Sequence, residues 1–394
     1  MNRMISVQQA QEIIHRESRQ LDAILIPIAN ALGYYTAKDI LAPISLPPFN
    51  SSAMDGFAVN AAHGIDQFKV IGEIQAGSDA QFFLREGEAV RIFTGACVPS
   101  SANAVIMQEL TAVNGELLDV EGEIQVGSNI RKAGEQIEKG NLAFGSETLI
   151  TPAGIGFLAS LGIEKVLVYD KPKIGLLVTG NELVKPGETL EKGQIYESNG
   201  LTLSAAIEDL GFEIREYSLV EDSFKSTKIE IDLKLNEVDV LIVSGGISVG
   251  EYDFVGKAME SLGVVEHFYK VKQKPGKPLF FGSKNNCLCF ALPGNPASAL
   301  SCFYNYVLPA LRILSGSKSP FLESRKMTCA NSFNRKGVRA QFLKALIKKD
   351  TVSILEGQGS AMLHSFAISN ALVFLDEGSG NIIAGDTVKV ICLP

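Results

Sequence analysis

Residues Val238 to Val243 form an apolar run that breaks at Ser244-Gly245-Gly246-Ile247-Ser248-Val249-Gly250-Glu251-Tyr252-Asp253. A short apolar run ending in glycines reads as a buried strand of an α/β sheet and its exit turn. Three glycines remove side chains that would shield backbone N–H groups from an approaching anion. Ser248 adds a hydroxyl, and Asp253 sets a carboxylate where a helix can begin. Such a turn suits a phosphorylated ligand with a bound cation. It matches neither a Walker A loop nor a G-x-G-x-x-G fingerprint, so neither ordinary nucleotide assignment applies.

The surrounding residues extend this pattern. Strands are expected at Ile174 to Val178, 212–220, 264–271 and 287–292, and helices at Gly200 to Leu210, 223–235, from about 253, and from Pro296 capped by Asn295. Helices between buried strands imply a mostly parallel sheet covered on both faces, here over residues 171–318. Residues 46–140 have another texture, with short apolar stretches between Gly, Asn and Asp turns, and read as an inserted small β domain. Ser6 with Gln9 is a capping box, a second helix is expected from Pro27 to Gly33, and Thr151-Pro152 starts a third. Residues 1–45 and 141–170 therefore read as one helical, mixed linking domain that the β region interrupts. Residues 319–394 return to short strands and turns, a small C-terminal β domain.

At 394 residues and 46% hydrophobic content the chain is too long for one core. A net charge of −8 argues against nucleic acid and anionic membrane as partners. No apolar run reaches the length of a membrane span, Met1 to Ser6 has no signal core, and a cytoplasmic location is expected. The six cysteines lack zinc spacing, and Cys287-x-Cys289 reads as two reduced thiols on one face of a strand.

Ligands of open α/β sheets bind beyond the carboxyl ends of the strands. Three such ends carry acids: Glu182 in Thr179-Gly180-Asn181-Glu182, Asp222 after Glu221, and Asp253. Together they suit Mg²⁺, which takes oxygen ligands shared with substrate phosphates. Lys270, Lys274 and Lys277, around Pro275-Gly276-Lys277-Pro278, read as a clamp for an anion. Pro293-Gly294-Asn295-Pro296 exposes N–H groups at a helix N-terminus, a further anion site. The β region holds Asp55 among small residues and Thr94 beside Gly95, which alone read as turns.

Ser51 to Ala58, Thr94-Gly95-Ala96, Thr179 to Leu183, Ser244 to Asp253, Lys274 to Pro278 and Leu292 to Pro296 occur in the order and spacing of a known family. The chain closely resembles the molybdopterin molybdenumtransferases (MoeA-type), relatives of the E domain of gephyrin, over essentially its whole length. The resemblance implies a molybdopterin-binding α/β fold, a C-terminal β-barrel-like domain, and insertion of molybdenum from molybdate into adenylylated molybdopterin with Mg²⁺-assisted release of AMP. It implies a homodimer with the active site between subunits, and a molybdopterin adenylyltransferase and molybdoenzyme-maturation proteins as partners. It assigns Asp55, Thr94, Glu182, Asp222 and Asp253 to catalysis, the last three also to the metal. Gly245, Gly246, Ser248, Gly250, Lys270, Lys274, Lys277, Pro293, Asn295, Pro296, Arg339 and Ser365 fall to substrate binding. Two positions depart from the family pattern: Gln136 and Ser223 stand where Asp is common.

Two other functions fit parts of the chain: the adenylylating reaction on the same pathway, and a partner-binding scaffold. The β regions disfavour the first, since a lone α/β domain would suffice for it. The acids Asp55, Glu182, Asp222 and Asp253 disfavour the second.

Overall fold

The computed structural model describes residues 4–247 and 254–394, and these fall into two compact units. The first holds residues up to Ile24, Gly33–Tyr35 and Val168–Pro394; the second holds Leu25–Leu32 and Thr36–Leu167.

The first unit is built on a six-stranded sheet. Its order is Ile214–Val220, Ile174–Thr179, Val240–Ser244, Cys287–Leu292, Pro278–Lys284 and Val265–Lys270. The first four strands are parallel, and Pro278–Lys284 runs against both of its neighbours. That strand was not foreseen, because Pro278 and the lysine-rich turn before it obscure the apolar run Leu279 to Phe281. Every residue of Ile174–Thr179, Val240–Ser244 and Cys287–Leu292 is buried, as expected for strands covered on both faces.

Period-two alternation divides the strands between two cores. Val240 and Ile242 face a core shared with helices Val7–Glu17, Asn199–Asp209 and Leu308–Leu314, while Leu241 and Val243 face helices Phe224–Leu235 and Phe254–Ser261. The capping box forms, Ser6 Oγ accepting from Gln9 N and Gln9 Oε1 from Ser6 N. Cys287 and Cys289 lie buried in one core, on one face. The long helix expected from Pro296 is continuous but changes pitch, passing through a π turn at Phe303–Val307. Pro309 supplies a reason: it lacks the N–H that would bond the Asn305 carbonyl, and Gln11 Nε2 donates there instead at 3.5 Å.

The C-terminal residues form a small closed barrel. Ala340–Lys348 pairs with Thr351–Ile354 on one side and Ala371–Leu375 on the other, and Ser324–Cys329 and Thr387–Cys392 complete the ring. Gln273–Lys274 adds to its rim, pairing in parallel with Ala340–Gln341.

The second unit carries a six-stranded sheet around Gly56–Val59, Gln67–Ile74 and Glu88–Ile92. Helix Pro152–Ser160 starts as read, with Thr151 Oγ1 accepting from Gly154 N at 3.1 Å. The helix expected from Pro27 to Gly33 is absent. Ala23–Pro27 is a strand followed by a single 3-10 turn at Ile28–Asn30. Its exposure alternates residue by residue, so the two-residue period overrides the helical one, and Pro27 closes the strand.

Candidate active site

The connection from Ile174–Thr179 passes through helix Asn199–Asp209 on one face, and that from Val240–Ser244 leads to helix Phe254–Ser261 on the other. Adjacent strands whose connections diverge leave a crevice at their carboxyl ends. A cavity of about 630 Å³ opens there. Glu182, Asp222, Gly245, Gly246, Asn295 and Pro296 all line it, so the structure gathers these expected residues into one place.

The glycines are required by geometry. Gly245 has φ +97° and Gly246 φ +59°. A Cβ on Gly245 would collide with the Thr179 carbonyl oxygen, and one on Gly246 would lie 2.7 Å from Val255 Cγ2. The turn therefore presses its backbone against the neighbouring strand end and leaves the cavity side open. Ser248, Gly250 and Asp253 lie outside the described residues.

Asp222 is the more enclosed acid. Its amide donates to Asn181 Oδ1 at 2.9 Å, and Thr179 Oγ1 donates to its Oδ1 at 3.4 Å. Burial, and then the nearby charge of Glu182, raise its carboxyl above the ordinary range, while the Thr179 hydroxyl opposes this. Glu182 and Asp222, with no cation paired to either among the described residues, form an oxygen-only donor set suited to a hard divalent ion. Glu182 and Asp222 fit Mg²⁺ on those grounds.

Glu197 and Asn199 line the cavity and are among its residues not singled out from the sequence. Glu197 is buried and accepts from Gly200 N at 2.6 Å, holding the start of helix Asn199–Asp209. Asn199 donates from Nδ2 to Ser244 Oγ at 2.9 Å and to Gly294 O at 2.8 Å, tying together three strand-end loops. The string Glu197-Ser198-Asn199-Gly200 before an apolar stretch was the available signal: capping residues at a helix start.

The basic residues form a separate group. Lys270 ends its strand at the same sheet edge, but that strand lies three ladder steps from Val240–Ser244, roughly 14 Å at ordinary strand spacing. Neither it nor Lys274, Lys277, Pro293, Arg339 or Ser365 lines the cavity. Buried Gln273 organises the lysine turn: its Nε2 donates to Gly276 O at 2.9 Å, its Oε1 accepts from Tyr306 Oη, and its carbonyl accepts from Arg339 Nη1 at 3.1 Å. Arg339 thus joins the lysines through the barrel rim.

Ser365 lines a neighbouring cavity, where its hydroxyl donates to Gly357 O at 2.6 Å; Ala361 lines both cavities. Lys344, another unforeseen residue, pins the loop between them. Its Nζ donates to Gly357 O, Gly359 O and Met362 O at 2.7, 3.2 and 2.9 Å. The same loop meets the helix start at Ser360, whose Oγ accepts from Asn295 Nδ2 at 3.1 Å. Asn295 caps that helix by position but spends its side chain on this contact.

In the second unit, Asp55 Oδ1 accepts from Thr94 N at 2.7 Å and from Thr94 Oγ1 at 2.6 Å. These bonds, helped by Arg91, hold the Asp55 carboxyl below its usual range.

A mainly parallel sheet with a glycine turn and paired acids at its switch point defines a ligand-binding α/β domain, in a chain that also carries a β unit and a closed barrel. Three family models match along the chain: MoeA N-terminal region (domain I and II) over residues 5–162, a probable molybdopterin binding domain over 175–313, and MoeA C-terminal region (domain IV) over 326–393. The chain is 36% identical to a molybdopterin molybdenumtransferase of Haemophilus influenzae over 90% of each, and 31% identical to molybdopterin molybdenumtransferase 2 of Mycobacterium tuberculosis over 98% and 99%. Its structure resembles the molybdopterin biosynthesis moeA protein of Pyrococcus horikoshii, with TM-score 0.84, 27% identity, and 99% and 100% coverage. The chain belongs to the molybdopterin molybdenumtransferase family.

Proposed function

We propose that this chain is an enzyme of molybdenum cofactor biosynthesis that inserts molybdenum from molybdate into adenylylated molybdopterin and releases AMP. The observation that carries the reading is the switch-point cavity, with Glu182 and Asp222 beside the Gly245-Gly246 turn, in a chain of this family.

The substrate is a phosphoanhydride and its co-substrate, molybdate, is a dianion. Backbone N–H groups of the glycine turn hold phosphate oxygens, and the basic group of Lys270, Lys274, Lys277 and Arg339 attracts the oxyanion. Glu182 and Asp222, with Asp253, would hold Mg²⁺, which when bound neutralises phosphate charge and polarises the bond to be cleaved. Among the described residues of the first unit, Cys287, Cys289, Cys302 and Cys329 are buried, and burial pushes the Cys302 thiol up to about 12, so none of these thiols serves as a nucleophile. An oxygen of molybdate or water attacks the pterin-side phosphorus, the P–O bond to the adenylate breaks, and AMP departs with the bridging oxygen.

The reading extends to a homodimer whose subunits share the site, to exchange of substrate with a molybdopterin adenylyltransferase and with molybdoenzyme-maturation proteins, and to the cytoplasm. Among the described residues no helix is long and apolar enough to cross a membrane. Purified protein given adenylylated molybdopterin, molybdate and Mg²⁺ should release AMP as molybdenum enters the pterin dithiolene. AMP retention under those conditions would sink the proposal.

A further inference from the structure

The switch-point cavity has one wall that neither its acids nor its glycines account for. Leu183–Val184 and Ile195–Tyr196 form a two-stranded parallel ribbon, Leu183 beside Ile195 and Val184 beside Tyr196. The ribbon is held in place: Ile195 N donates to Glu182 O, and Tyr196 Oη donates to Glu188 O, both at 2.9 Å. Val184 turns inward and is 9% exposed, whereas Ile195 and Tyr196 stay 55% and 45% exposed. Leu183, Ile195 and Tyr196 all line the cavity. Apolar surface left open on a fixed ribbon inside a ligand cavity gains free energy when a flat apolar group covers it.

Position along the ribbon supplies the second argument. Glu182 immediately precedes Leu183, so the shelf begins one strand residue, about 3.3 Å, from the acid. The cavity therefore sets an apolar shelf directly beside its oxygen donors. A ligand matching it carries a planar ring close to its charged group.

We propose that Leu183, Ile195 and Tyr196 form the ring-binding shelf of the site and that their ligand group is a planar nitrogen heterocycle. The assignment rests on the function proposed above, whose substrate contains two such rings, a purine and a pterin. Tyr196 offers a π face whose orientation is fixed by its bond to Glu188, and Ile195 offers a branched aliphatic surface beside it.

Wild type, Tyr196→Ser and Ile195→Ser are titrated calorimetrically, in the presence of Mg²⁺, with AMP, with 6-hydroxymethylpterin and with ring-free pyrophosphate. We expect binding of one ring probe to weaken about tenfold or more, and pyrophosphate binding to change by less than about twofold. The probe that weakens names the ring. Tyr196→Phe keeps the ring and loses the bond to Glu188 that orients it, so its affinity should fall less than that of Tyr196→Ser. Unchanged affinity of both ring probes in the Ser variants overturns the shelf and leaves the proposed function standing. Equal weakening of all three probes also overturns it, since the ribbon would then only position the acids. Wild type that binds neither ring probe overturns the functional reading, and the shelf with it.

Discussion

Thr94 gives both of its hydrogen-bond donors to a single carboxylate oxygen of Asp55, at 2.7 and 2.6 Å. The carboxylate is thereby kept ionised at pH values where an ordinary aspartate begins to protonate. Thr94→Val removes one donor and keeps the volume, so the Asp55 carboxyl should rise toward 3.8, read by carbon-detected NMR titration. The linked stability is present above the unfolded-state value and is lost as pH falls through the lower folded value. The variant should lose that acid-limb contribution.

Glu182 and Asp222 are coupled in the opposite direction. Glu182→Gln should let the Asp222 carboxyl fall back toward 3.8, because the neighbouring charge is gone while burial remains. A raised carboxyl contributes stability at low pH that is lost as pH rises through the folded value, so the variant should gain stability at neutral pH relative to wild type. Its AMP release should fall by about 100-fold or more if the pair holds Mg²⁺. Near-normal turnover would remove Glu182 from the site.

Lys344 is buried among carbonyls, with no carboxylate paired to it among the described residues, and burial pulls its ammonium down to about 8. Between that value and 10.5 the unfolded chain binds the extra proton, so stability contributed by this residue rises with pH through the window. Thermal melts of wild type and Lys344→Met from pH 7 to about pH 10 should show the difference move in favour of wild type. The variant strands three carbonyls and should loosen the loop that reaches Asn295, raising KM for substrate more than it lowers kcat.

Lys274→Ala should weaken binding of the anionic substrate, with a shallower dependence on salt, and leave folding intact, because the exposed side chain adds charge and no packing. Affinity equal to wild type would make Lys274 a surface charge.

Gly245→Ala places a Cβ against the Thr179 carbonyl at a backbone angle that favours glycine, and should cost about 1–3 kcal/mol of stability by denaturant titration. The displaced turn should also lose ligand affinity.

Local chemistry made much of this protein readable in one dimension. The run Val238 to Val243, the capping box at Ser6, the Thr151-Pro152 start and the glycine turn are each written within a few residues, so period and backbone freedom suffice to find them. The same logic failed at Pro27, where a two-residue period lay hidden in four apolar residues. Glu182 and Asp222 were found because both follow strands that one fold rule brings to a single edge.

What the chain alone fixed is which residues end strands, start helices and bear charge. Tertiary structure decided which of them meet. Gln273 holds the lysine turn through Tyr306 and Arg339, and Lys344 pins a loop 13 to 18 residues downstream, across a barrel that closes only when Ala340–Lys348 finds Ala371–Leu375. It also set the strand ending at Lys270 three ladder steps from Val240–Ser244, because Pro278–Lys284 reverses and inserts beside it. Strand order is a property of long-range pairing, whose free energy depends on partners distant in the chain, and no local pattern encodes it.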